Sequence, residues 1–163
     1  MKVEGKLKKM KGFVAASVIG IGLLAGSTTA SAYADSNSAS IPGLPNHSIQ
    51  SNVWHGTASF FNTQSYQVSA KFLGTNPGYA DWVKTAWTIN ANGLGVSIGG
   101  ISGGTASGNT LSGTWTNWDA WISDYSGTYN ISGVPISGSA NNTASVFVDG
   151  TKAASTASIF RFY

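Results

Sequence analysis

From about residue 52 to the end of the chain, apolar side chains recur at every second position in short runs divided by turn residues, and that period governs what can form. Tyr66, Val68, Ala70 and Phe72 share one side of a run whose other side is Gln67, Ser69 and Lys71. This is a strand with one buried and one wet face. Residues 53–61 are its expected hairpin partner across Asn62-Thr63-Gln64. Beyond a turn at Asn76-Pro77-Gly78, Val83, Thr85, Trp87 and Ile89 alternate in the same way. A further turn is expected at Asn90-Ala91-Asn92-Gly93, after which Leu94, Val96 and Ile98 alternate with Gly95, Ser97 and Gly99. The glycine-rich run 99–108 reads as a bulge or long turn. Strands are expected again over 111–116, 126–131, 144–148 and 157–163. Asp149-Gly150 supplies the two positive φ angles of a type I′ hairpin before the last of them.

About eight short strands, with no helical pattern long enough for a βαβ unit, predict an all-β domain over residues 52–163. The architecture expected is a single antiparallel β-sandwich or small barrel. One local pattern departs from this. Trp118, Trp121, Ile122 and Tyr125 fall at i, i+3, i+4 and i+7 behind Asn117, which fits one or two helical turns. A hairpin turning at Asp119-Ala120 is the competing reading.

Residues 1–34 read as a secretory signal peptide that resembles Gram-positive bacterial export signals. Lys2, Lys6, Lys8, Lys9 and Lys11 form its basic end, and the apolar stretch 13–24 is shorter than the roughly 20 residues of a spanning helix. Small residues at Ala30, Ala32 and Ala34 offer two cleavage sites. Cleavage after Ala34 is expected, with Ala32 as the alternative, giving a secreted product. Polar and proline-punctuated, residues 35–51 are expected to be a flexible leader.

Removing the signal reverses the charge. Five of the nine Lys and Arg lie within it but only one of the six acids, so the formal +3 becomes −1. Lys71, Lys84, Lys152 and Arg161 are too few and scattered to neutralise phosphates or to bind anionic lipid, which argues against a nucleic-acid partner. Without cysteine there is no disulfide, thiolate ligand or thiol nucleophile.

Catalytic motifs fail on context. Gly95-Val96-Ser97-Ile98-Gly99 matches a hydrolase nucleophile elbow, but no helix pattern follows and both histidines, His47 and His55, come earlier. The order His55, Asp81, Ser97 needs a two-barrel fold this chain is too small to build. Neither histidine has a second ligand at metal spacing. Asp119 and Asp124, with Asn117 and Ser123, match no calcium loop and read as solvated carboxylates. No phosphate-cradling glycine motif occurs. The expectation is a non-enzyme with no metal and no cofactor.

All six Trp lie between Trp54 and Trp121. Trp87 and Trp115 are expected in the core. Trp118, Trp121 and Tyr125, with Asp119 and Asp124, are expected to form an aromatic platform with polar edges that binds a glycan or cell-envelope surface. The alternative is a membrane-active protein, pore-forming or antimicrobial. Its basis is the uncharged stretch 94–116, whose apolar residues alternate with Gly, Ser and Thr in a composition that resembles toxin stems. A structural surface component is a third class.

Overall fold

The structure, a computed structural model, describes residues 33–57 and 63–160, without the side chain of Phe160. The expected signal segment through Ala32, the strand end at 58–62 and the last three residues lie outside them. Eight strands follow one another: β1 (Tyr33–Ser40), β2 (Ser48–His55), β3 (Gln64–Leu73), β4 (Ala80–Ser102), β5 (Thr105–Ser107), β6 (Thr110–Ala120), β7 (Ile122–Val148) and β8 (Thr151–Phe160). Every pairing is antiparallel, in the order β1-β2-β3-β7-β4-β6-β5, with β8 on β7. The all-β class and the number of strands agree with the alternation in the sequence, although the bounds of several strands differ.

Two long strands fold this sheet over on itself. The first part of β7 pairs with β3, Lys71 opposite Ile122 and Gln64 opposite Tyr129. Its last part runs between β4 and β8. One layer therefore holds β1, β2, β3 and the start of β7, and the other holds β8, the end of β7, β4 and β6. Inward residues of both layers meet in two apolar clusters. Val53, Val68, Trp87, Ile89, Leu111, Tyr129 and Ile159 belong to one, and Ile49, Phe72, Val83, Val146 and Val148 to the other. Each such side chain removed from water contributes about 1.5–3 kcal/mol.

A polar level separates the clusters. Ser51 in β2, Thr85 in β4, Asn142 in β7 and Ser155 in β8 are all buried, each between apolar inward neighbours on its own strand. Asn142 Nδ2 lies 2.9 Å from the Ser69 carbonyl and 3.0 Å from those of Asn52 and the Ser51 hydroxyl oxygen, so one amide ties β7 to β2 and β3. The Thr85 hydroxyl donates to Asn142 Oδ1 at 2.6 Å.

Side chains, not backbone ladders, close the two seams between layers. At the first, Asn37 Nδ2 donates to the Thr156 carbonyl at 3.1 Å, and the Ser158 N–H donates to Asp35 Oδ2 at 2.7 Å. At the second, the Ser123 hydroxyl donates to the Trp115 carbonyl at 2.9 Å and Asn117 Nδ2 to the Ile122 carbonyl at 2.9 Å. Exposed strand edges invite pairing with other chains, and these groups blunt them.

Four local expectations are corrected. The flexible leader 35–51 is instead a β-hairpin, β1 against β2, whose turn buries Ile41 to 2% exposure. Its first strand escapes the alternation rule because the side facing the seam carries exposed Asp35 and Asn37, which bond the β8 backbone, in place of apolar residues. Residues 90–93 form no turn: β4 runs through them with a register shift at Asn92/Gly93, where a Cβ on Gly93 would collide with the Val134 carbonyl. Ser126–Ile131 and Ala144–Val148, expected as separate strands, are parts of the single strand β7. The helical pattern around Trp118 is strand on both sides of Trp121, with neither helix nor hairpin, and the chain crosses there from one layer to the other. Asp149 and Gly150, at φ 48° and 76°, make the expected I′ turn.

Candidate functional site

The five residues expected to form one platform are dispersed. Trp118, 70% exposed, projects from the outer face of β6, and Asp119 beside it is exposed with φ 48°. Trp121, 45% exposed, stands at the crossing between layers, where its carbonyl accepts the Phe72 N–H at 2.8 Å. Asp124 pairs with Ser69 on the outer side of the opposite layer. Tyr125 turns inward and stacks on Trp87 with ring centroids 4.8 Å apart and planes 19° apart. Crossing between layers scatters side chains that are neighbours in sequence.

What gathers instead is a row across four strands. In register, Trp118 of β6 faces Trp82 of β4, Trp82 faces Phe147 of β7, and Phe147 faces Lys152 of β8. Directly opposed residues share a face, and Val83 and Val146 beside them point into the core, so this row lies on the outer surface. Trp82 stacks on Phe147 at 5.9 Å with planes 15° apart, and Lys152 Nζ stands 5.7 Å over the Trp82 ring. Along the same face the rows beyond are short and mostly hydroxylated: Thr116, Lys84, Ser145 and Ala154, then Thr114, Ala86, Thr143 and Thr156. Thr143 and Thr156 bond at 3.2 Å. Among its described residues this face carries Lys84 and Lys152 and no carboxylate. Trp82 falls on the side opposite Val83, Thr85 and Trp87, but its neighbours on other strands depend on register, which no local pattern encodes.

Inside, aromatic rings form a connected series. Trp115 tilts against Tyr125 at 6.2 Å, Tyr125 stacks on Trp87, Trp87 meets Tyr66 at 6.1 Å, and Tyr66 meets Tyr129 at 6.2 Å. Trp87 is buried as expected, but Trp115 is 49% exposed, because β5 covers β6 only at Thr110, Leu111 and Ser112 and leaves the Trp115 stretch unpaired on that side. Gly113 faces Trp87 across β4–β6, and a Cβ there would overlap the indole ring. The series ends at His55, fully buried, whose Nδ1 donates to the Gly56 carbonyl and whose Nε2 accepts the Tyr129 hydroxyl at 2.6 Å. Burial holds its imidazole down at about 4, with the Gly56 bond opposing. Burial likewise pushes the Tyr66 phenol up to about 12. Both groups are neutral at pH 7.

A second exposed surface lies at the register shifts of the β4–β7 ladder. Leu94 faces Val134, and with Ile136 these side chains are 75%, 56% and 69% exposed. The uncharged stretch 94–116 is shared among β4, β5 and β6, and its first part pairs with β7.

An all-β sandwich with an aromatic row on one outer face is the class these features define. No family model matches the chain, and no curated protein does. Among solved structures it is similar to the GAE domain of GGA2p from Saccharomyces cerevisiae, at 15% identity and a TM-score of 0.30. The match covers 76% of this chain and 96% of that one. So loose an overlap assigns neither topology nor role.

Proposed function

We propose that this is an exported, non-catalytic binding module whose outer β8-β7-β4-β6 face takes a polysaccharide of the cell envelope. The observation that carries the reading is the Trp118–Trp82–Phe147 row in register, continued by rows in which Thr and Ser alternate with Lys84 and alanines. Indole faces accept the apolar side of a pyranose ring, and hydroxyl groups beside them meet its polar edge. Trp118 also gives up little by being covered, since it is already free of the core. Retention of the secreted protein on insoluble cellulose, chitin and peptidoglycan tests this. Trp118→Ala and Trp82→Ala should release it from whichever polymer holds it, with circular dichroism unchanged. Failure of the wild type to bind any of the three at micromolar concentration would end the proposal.

One observation favours a second reading, attachment to lipid. Residues 85–118 and 125–148 contain no charged side chain, and the exposed Leu94, Val134 and Ile136 lie within that neutral end. Aliphatic groups on such a surface can enter a bilayer without desolvating a charge. Flotation with phosphatidylcholine vesicles separates the readings. Binding abolished by Leu94→Ser and indifferent to Trp118→Ala supports lipid and counts against the aromatic face.

A further inference from the structure

We infer that the mature protein begins at Tyr33, the signal being cut between Ala32 and Tyr33 and not after Ala34. The inference rests on the chain being exported. Signal peptidases select small residues one and three positions before the cut, and both bonds satisfy that rule, through Ala30 and Ala32 or through Ala32 and Ala34. The fold distinguishes them. One side of β1 carries Tyr33, Asp35, Asn37 and Ala39, set opposite His55, Val53, Ser51 and Ile49 of β2; Tyr33 and Ala39 are half-buried, and Asp35 and Asn37 are exposed along the seam. Each has a partner. Ala39 packs on the cluster of Ile49 and Phe72, Asn37 and Asp35 bond the backbone of β8, and Tyr33 packs on the cluster that holds Val53 and Tyr129.

Cutting after Ala34 deletes the first of these four contacts. It also makes Asp35 the terminal residue and puts a new α-ammonium beside the carboxylate that receives the Ser158 N–H. Cutting after Ala32 keeps all four contacts and leaves both Tyr33 and Ala34 in the ladder, paired with His55 and Trp54. Once folded, the Ala34–Asp35 bond lies within a strand whose backbone is paired with β2 and so not free for a protease to engage, and later trimming is resisted.

Intact mass and N-terminal sequencing of the protein secreted from the full chain decide the point. A terminus at Tyr33 is expected. A terminus at Asp35 overturns the inference while leaving export intact, and an uncut chain retained in the cell overturns both. Two variants sharpen it. Ala34→Leu spoils only the second site and should leave the secreted terminus at Tyr33, whereas loss of processing would contradict the assignment. Ala30→Leu spoils only the first, and any product it diverts to Asp35 should melt at lower temperature and show His55 titrating closer to 6.5. An Asp35 product with unchanged melting and unchanged His55 titration would show that Tyr33 has no structural part.

Discussion

Asn142 and Ser51 hold each other in both directions: the Ser51 hydroxyl donates to the Asn142 main-chain carbonyl at 2.7 Å, and the Asn142 amide donates back to the Ser51 oxygen at 3.0 Å. The pair joins β2 to β7 across the sandwich, at the level where the two apolar clusters part. Truncating Asn142 to Ala removes the donor to the Asn52 and Ser69 carbonyls and the acceptor of the Thr85 hydroxyl, all in the dry interior. Leaving such groups unpaired costs about 1–3 kcal/mol each, partly relieved by rearrangement. Asn142→Ala should therefore lose about 3 kcal/mol, read as a lower urea midpoint at constant slope. Thr85→Val, which removes one donor and keeps the shape, should lose about 1 kcal/mol. Equal, negligible losses would mean that the level is not a structural tie.

His55 makes stability depend on acid. Its folded value near 4 lies below the ordinary 6.5, so the unfolded chain takes up the proton first. The stabilisation is complete above pH 6.5 and is lost as pH falls toward 4, where the folded form protonates as well. That separation corresponds to about 3 kcal/mol. Urea midpoints of the wild type should decline across that window. His55→Gln should start lower, having lost the fitted pair with Tyr129, but should decline less steeply between the two pH values. A parallel decline in the variant would assign the acid sensitivity to carboxylates.

Two glycines serve different ends, and alanine separates them. At Gly150 a Cβ would meet open space, but φ is 76°, so Gly150→Ala should cost only the backbone penalty, about 1–2 kcal/mol. At Gly113 the backbone is ordinary, but the added carbon overlaps Trp87. Gly113→Ala forces that ring away from Tyr125 and should cost more, about 2–3 kcal/mol, the range of overpacked cores. Near-ultraviolet circular dichroism should change for Gly113→Ala and stay the same for Gly150→Ala. The opposite ranking would place the Trp87 ring elsewhere.

Local chemistry was legible in the sequence wherever a residue's role is set by its neighbours along the chain. The alternation of Tyr66, Val68, Ala70 and Phe72 marks β3, and Asp149-Gly150 marks the last hairpin, because side-chain period and positive φ are local properties. β1 was unreadable because Asp35 and Asn37 answer to β8, more than a hundred residues away. The site suffered in the same way. Trp118 is exposed as one member of the expected platform, yet its neighbours on the surface are Trp82 and Phe147, brought by register from two other strands. Tyr125, seven residues from Trp118, faces the interior because the chain changes layer at Trp121.

That contrast between Trp118 and Trp87 yields the sharpest test of the proposed face. Trp87 is 3% exposed and packs against Tyr66 and Tyr125, so Trp87→Ala opens a cavity expected to cost about 3–5 kcal/mol. Trp118 is 70% exposed and stands in register with Trp82 on the outer face, so Trp118→Ala should change stability by less than about 1 kcal/mol. If the outer row binds a polysaccharide, the same substitution should weaken retention at least tenfold, a loss of about 1.4 kcal/mol or more in binding. Trp82→Ala should do both in moderation, since its ring lies between Trp118 and Phe147 and under Lys152. Denaturation midpoints and polymer retention measured on the three variants would show stability falling in the order Trp87, Trp82, Trp118 and retention by folded protein falling most for Trp118 and Trp82. Retention untouched by Trp118→Ala and Trp82→Ala would move the binding surface off this face.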